Sequence, residues 1–313
     1  MSEFSLVGLR AHNLLAYMAA LGTLRVATFH WGASVVHMEW SVQEGNYHPR
    51  LVVEAELDRH QFLSGLFEQL ASSKKISALS LADDLTIPVG DYRRSLQDEQ
   101  GRASFEDRCN VDFLASFGSE VIESTAGGKP TGQIADTAFR TMSGAGHQHF
   151  LGTIRTLITD TAEQHLEKSL FQDWWYDDPL EKHSMRWDPM DDIRYALRWD
   201  KPSGDKTRKK SGSMWGANRL AVEALPLYPV QPTGIRLETT AVLEKRGQPT
   251  QVTWPVWDGL LGLDEVRSVL TLSRLQDERP DRRWLGAFGI VEIFRCQRIT
   301  QGKYRNFTPA WPA

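Results

Sequence analysis

The chain has 313 residues, 41% of them hydrophobic and 24% charged, a composition that buries a sizeable core and excludes disordered, fibrous and collagen-like classes. Its formal charge of −4 gives no global bias toward nucleic acid, yet residues 279–305 hold seven Arg or Lys against Asp281 and Glu292, a local balance of +5. Two cysteines, Cys109 and Cys296, offer neither a disulfide framework nor a C-x-x-C metal knuckle, so a reducing, cytoplasmic setting is expected.

The opening "MSEFSLVGLR" lacks the basic region and cleavage pattern of a signal peptide. In "NLLAYMAALGTLRVATF" (13–29), Asn13 is placed as an N-cap and the apolar residues run nearly all round, which predicts a helix buried on most sides. Arg25 stops that run short of the roughly 20 residues a membrane span needs, so no membrane partner is expected. "SVVHMEWS" and "RLVVEAEL" alternate at period two around the turn-rich "EGNYHP" and predict a β-hairpin. Asp58 then caps a predicted amphipathic helix, "RHQFLSGLFEQLAS", with Phe62, Leu66 and Leu70 on one face.

A helix is predicted over 104–117. "ESTAGGKPTGQ" (123–133) gathers Gly, Ser, Thr and Pro with almost no apolar residue, and predicts an exposed loop or a boundary between an N-terminal α+β region (1–125) and a C-terminal α+β region (134–313). From about Gly146, "GHQHFLGTIRTLITDTAEQHLEKSLF" predicts one long helix. Beyond it, strands ("IRYALRW", "GIRLETTAVL", "QVTWPVW", "FGIVEIFRCQRI") mix with helices ("GANRLAVEAL", "LDEVRSVLTLSRL"). This irregular order favours an α+β fold over a doubly wound parallel sheet, whether as one continuous domain or two.

Three carboxylates, Asp188, Asp191 and Asp192 in "RWDPMDD", invite a Mg²⁺-dependent nuclease reading, because converging carboxylates hold a hard cation with positions open for water and phosphate. The same letters also fit a turn that Asp188 opens before Pro189, its carboxylate bonding nearby amides. In the predicted strand "IRYALRW", Arg194 and Arg198 share one face. The loop after it carries Lys206, Arg208, Lys209 and Lys210 on a Gly/Ser background, suited to phosphate contact or equally to a solvated loop.

At the C-terminus, Lys303 and Arg305 interleave with Tyr304, Phe307 and Trp311, the cation-plus-aromatic pattern of single-strand binding, or of a tail tied to the core, and Arg295 and Arg298 precede them in the same basic segment as further candidate nucleic-acid contacts. His147 and His149 stand two apart, a poor metal pair on a helix. "AGGKPTG" fails the phosphate-loop pattern, with Glu123 in place of the first glycine and Pro130 after Lys129. No nucleophile elbow, zincin, dinucleotide or kinase motif occurs, and Glu292 is followed two residues later by Phe294 rather than the lysine of a common nuclease core. A non-catalytic role with no cofactor is therefore expected. A purely protein-binding module, docking through the tryptophans of 174–199 and 254–257, is a further alternative.

Several phrases together resemble a known group. "LVGLRAHNLLAYMAALGTLRV" is similar to the opening of proteins encoded beside type I-G (formerly I-U) CRISPR–Cas genes, including the large subunit of the type I-G effector. "SGAGHQHFL", "RWDPMDDIRYALRW", "GANRLAVEALPLYP" and "RCQRITQGKYRNFTPA" resemble later landmarks of the group described as the extension of the CRISPR helicase-nuclease. The resemblance implies antiviral defence, with the RNA-guided surveillance complex or its helicase-nuclease as partner and DNA or RNA as ligand. This sequence lacks a helicase Walker motif and an H-D nuclease signature, so the resemblance implies an accessory or effector-complex subunit. In such systems guide pairing reads sequence while proteins hold backbones.

Overall fold

A computed structural model describes residues 1–104, 108–142, 149–179, 182–191, 212–245, 247–301 and 304–313, the side chains of Asp191, Gln301 and Tyr304 excepted. The fold is α+β, with several small antiparallel sheets around two buried helices. Helix α1 (Leu14–Trp31) begins where Asn13 accepts a hydrogen bond from the Ala16 amide, and it is buried from Leu14 to Thr28, as its all-round apolar pattern predicts. Strands β1 (Ser2–Ser5), β2 (Val36–Gln43) and β3 (Asn46–Val53) form a sheet in the order β1-β3-β2. The predicted hairpin is present with a tighter turn, since only Glu44 and Gly45 lie between the strands, both at positive φ, as a two-residue hairpin turn requires.

Asp58 caps α2 (Arg59–Ala71) in a full capping box with Gln61, and Phe62, Leu66 and Leu70 are buried as predicted. Helix α3 (Val89–Gln100) was not expected, because "VGDYRRSLQDEQ" places only Tyr92 in the core and so lacks an apolar stripe. Helix α4 (Cys109–Phe117) covers the C-terminal part of the helix predicted over 104–117, and residues 105–107 lie outside the described residues. The segment 123–133 is largely not a loop. It belongs to an exposed hairpin of β4 (Gly118–Ala126) and β5 (Lys129–Asp136), turned by Gly127 and Gly128 at positive φ.

The single long helix predicted from Gly146 is broken into α5 (Phe150–Asp160) and α6 (Glu163–Phe171). Thr161 and Ala162 are extended there, and the Ala162 amide donates to His165 Nδ1, so a side chain replaces the missing turn of helix. Helix α7 (Trp215–Ala224) is buried from Gly216 onward and packs along α1. Their contact is close at Gly22, where a Cβ would lie 1.8 Å from the Leu220 carbonyl oxygen. Beside it runs an interior ion network: Glu223 accepts from Arg25 at 2.6 Å, Arg219 at 2.9 Å and the Ser73 hydroxyl at 2.7 Å.

The C-terminal sheet contains β8 (Val242–Leu243), β9 (Thr250–Trp257), β10 (Ile290–Gln301), β11 (Tyr304–Phe307) and β12 (Trp311–Pro312), with β10 central. The hairpin β6 (Val230–Thr233) and β7 (Arg236–Thr239) stands apart from it, and α8 (Leu263–Leu270) and α9 (Arg282–Gly286) complete the elements. Aromatic rings join the two sheets across α1. Tyr17 stacks on Trp40 at 5.3 Å, its hydroxyl donates to the Pro255 carbonyl, and the Trp257 indole donates to the Met38 carbonyl. One continuous hydrophobic core thus draws residues from Phe4 to Phe307. No described helix is long and apolar enough to cross a membrane.

Candidate functional site, a pocket over Asp188

Four stretches of chain meet over Asp188: the approach to α1, the segment after α6, the 3-10 turn Pro189–Asp191 and the C-terminal Pro309 and Ala310. They enclose a pocket of about 400 Å³, within the range of small-molecule sites. Asp188 is 1% exposed. Its Oδ1 accepts from the Met190 amide at 2.9 Å and from Asn13 Nδ2 at 3.1 Å, and its Oδ2 accepts from the Tyr176 hydroxyl at 3.0 Å. The bond from Met190 is the Asx turn anticipated at Asp-Pro. Burial raises the Asp188 pKa above the ordinary carboxylate range, against the lowering effect of these three neutral donors.

The walls are set by local chemistry. Asn13 spends its side-chain oxygen on the α1 cap and its amide nitrogen on Asp188, so one residue fixes both the helix start and the pocket floor. Trp174 is held by its indole N–H on the Ser169 carbonyl and meets Tyr176 edge-on at 6.0 Å. Arg10 pairs with Asp173 at 3.0 Å, both exposed at the mouth. His12 has its pKa lowered by partial burial, then by Arg10 and His48, which favours the neutral ring.

The candidates of the sequence fall in different places. Asp188 lies at the pocket floor, whereas the Asp191 side chain and all of Asp192 lie outside the described residues, as do Arg194, Arg198, Lys206, Arg208, Lys209, Lys210, Lys303 and His147. Among the described residues, no group of three His, Cys, Asp or Glu is placed to hold a metal ion. His149 occupies the N-cap position of α5 without a side-chain cap bond.

Arg295 corrects the expectation of a cationic surface on β10. It is 5% exposed, and its guanidinium donates to Thr253 Oγ1 and to the carbonyls of Leu275, Asp277 and Glu278. The reason is that the 275–278 segment packs over its face of β10, beside a small second core in which Ile290 and Ile293 of the strand meet Leu275 and Leu285. Arg298 is also engaged internally, donating to the Ala138 carbonyl and to Glu244, while half-buried Arg305 donates to the Arg140 carbonyl. A cleft between the β4–β5 and β6–β7 hairpins brings Arg236, Arg298 and Arg305 together with Glu123, Asp136, Glu238 and Glu244, so its lining is not cationic.

The tryptophan docking surface is likewise redrawn. Trp187, Trp254 and Trp257 are wholly buried in the core, and among the described residues of this group it is Trp175, 81% exposed, that projects, Trp199 lying outside the described residues.

No protein-family model, curated protein or solved structure matches the chain.

Sequence reasoning did not single out Arg10, His12 or Tyr176, and it took Trp174 only as part of a docking surface. Asn13 was legible as a cap, but nothing in local patterning signals a partner 175 residues away.

Proposed function

We propose that this chain is an accessory or effector-complex subunit of a type I-G-like CRISPR antiviral system, binding nucleic acid, the helicase-nuclease or both, and performing no catalysis itself. The observation that carries the reading is that the phrases resembling the type I-G group touch one another in the fold. Arg25 of "ALGTLR" pairs with Glu223 of "GANRLAVEAL", and Asn13 of "LRAHNLL" bonds Asp188 of "RWDPMDD". Phrases that occupy one interior contribute to a common scaffold, which favours a shared architecture over scattered coincidences of sequence.

The nucleic-acid part rests on the basic residues between 194 and 210. Beyond them, the Gly212 amide donates to the Tyr176 carbonyl at 2.7 Å, and the Tyr176 hydroxyl donates to Asp188. Described residues on the two sides of that stretch, Met190 and Gly212, thus lie in or beside the pocket lining. Lysines and arginines that replace counterions on phosphates give affinity that falls with salt, by about 0.9 logarithmic units per decade for each duplex phosphate neutralised. Binding to single-stranded, duplex and guide-paired DNA, measured over a salt series, is expected to show such a slope. Changing Lys206, Arg208, Lys209 and Lys210 together to Ala should lower it by up to about 3 to 4 units. Absent binding, or binding unaffected by salt and by those changes, contradicts the nucleic-acid part.

A further inference from the structure

We propose that the pocket over Asp188 is a receptor for a guanidinium group, the chemistry of an arginine side chain on a partner protein or of a free arginine derivative. This inference is independent of the CRISPR reading, since it uses only the pocket's own walls.

Charge is the first argument. Asp188 is a carboxylate buried to 1% exposure whose described partners are all neutral: Asn13, Tyr176 and the Met190 amide. Among the described residues no lysine, arginine or histidine pairs with it. Arg10 at the mouth is matched by Asp173, so with Asp188 ionised and His12 neutral the described lining residues sum to one negative charge. A monocation makes the site neutral, and a carboxylate in a low-dielectric setting gains most from a donor that brings its own charge.

Shape and polarity supply the second argument. A volume of about 400 Å³ admits a long side chain, and the lining includes the largely apolar Trp174, Pro189, Met190 and Ala310. A flat, weakly hydrated guanidinium on an aliphatic stem suits such a wall better than a strongly hydrated ammonium, and Trp174 offers an aromatic surface to it. Among the described residues, Asp188 Oδ2 accepts one hydrogen bond, from Tyr176, and Oδ1 accepts two, from Asn13 and the Met190 amide, so Oδ2 has acceptor capacity toward a guanidinium.

The test is calorimetric titration of the whole chain with N-acetyl-arginine methylamide, its lysine and citrulline counterparts, agmatine, and a Gly-Gly-Arg-Gly-Gly peptide. The arginine amide should bind saturably, and the uncharged citrulline isostere and the lysine amide should bind at least about tenfold more weakly. Asp188→Asn should weaken the arginine amide by at least about tenfold, with circular dichroism confirming the fold. Arg10→Ala, at an exposed position, keeps the test decisive if Asp188→Asn does not fold: removing the mouth cation should tighten binding several-fold. A peptide that outbinds agmatine assigns the site to a partner's arginine, and the reverse order assigns it to a free small molecule. No saturable binding by any arginine ligand, citrulline equal to arginine, a preference for lysine, or Arg10→Ala weakening the interaction overturns the proposal.

Discussion

Glu223 sits 3% exposed between Arg25 and Arg219, a charge that survives in the interior only because of its neighbours. Burial pushes its pKa up, but Arg219, Arg25 and the Ser73 hydroxyl together outweigh that and hold it below the ordinary glutamate range. A carboxyl with a depressed folded value contributes stability that is present above the unfolded value, about pH 4.3, and is lost as pH falls through the folded value. Glu223→Gln is therefore expected to cost about 3 to 5 kcal/mol at neutral pH, because it leaves two buried arginines uncompensated. The gap from the parent protein should close on acidification through that depressed value, as followed by urea unfolding across a pH series; a gap independent of pH contradicts the assignment. Arg295 makes a different prediction. Its fork ties three carbonyls of the 275–278 turn to β10, so Arg295→Lys should lower stability by about 2 kcal/mol while leaving the salt dependence of nucleic-acid binding unchanged. A weakened salt slope with an unchanged melting temperature would place Arg295 on the binding surface instead.

At the scale of elements, the crossing of α1 and α7 depends on the missing side chain of Gly22. A methyl group there meets the Leu220 carbonyl at 1.8 Å, and backbone cannot yield as a flexible side chain would. Gly22→Ala is expected to destabilise by about 1 to 3 kcal/mol in thermal or denaturant unfolding, whereas alanine at Gly128, in the exposed turn of the β4–β5 hairpin, opposes only local φ and should cost about 1 kcal/mol. Equal effects at the two positions contradict this packing. Elements with a local signal were readable from the letters: Asn13 and Asp58 announce helix starts, and alternation announces β2 and, over 50–53 of the predicted 50–57, β3. Helix α3 was not, because its face toward the core is carried by Tyr92 alone, and the interruption after Asp160 was not, because His165 completes the cap from within the next helix. The candidate site was legible in one part only. The Asp188 turn follows from Asp-Pro, but the pocket around it requires four stretches that no local pattern connects.

For the whole molecule, the aromatic group of Tyr17, Trp40, Trp254 and Trp257 binds the N-terminal and C-terminal sheets to one interior. The same interior holds Gly212, whose amide donates to the Tyr176 carbonyl, and Tyr176, whose hydroxyl donates to Asp188. The most direct test of the proposed role is affinity purification of the tagged chain from cells expressing a type I-G-like effector set and helicase-nuclease with a CRISPR array, performed with and without nuclease digestion. The account predicts recovery of the surveillance complex or the helicase-nuclease, either resistant to digestion through protein contact or lost with it through shared nucleic acid. Recovery of the chain alone under both conditions, with the effector set expressed and assembled, would contradict it.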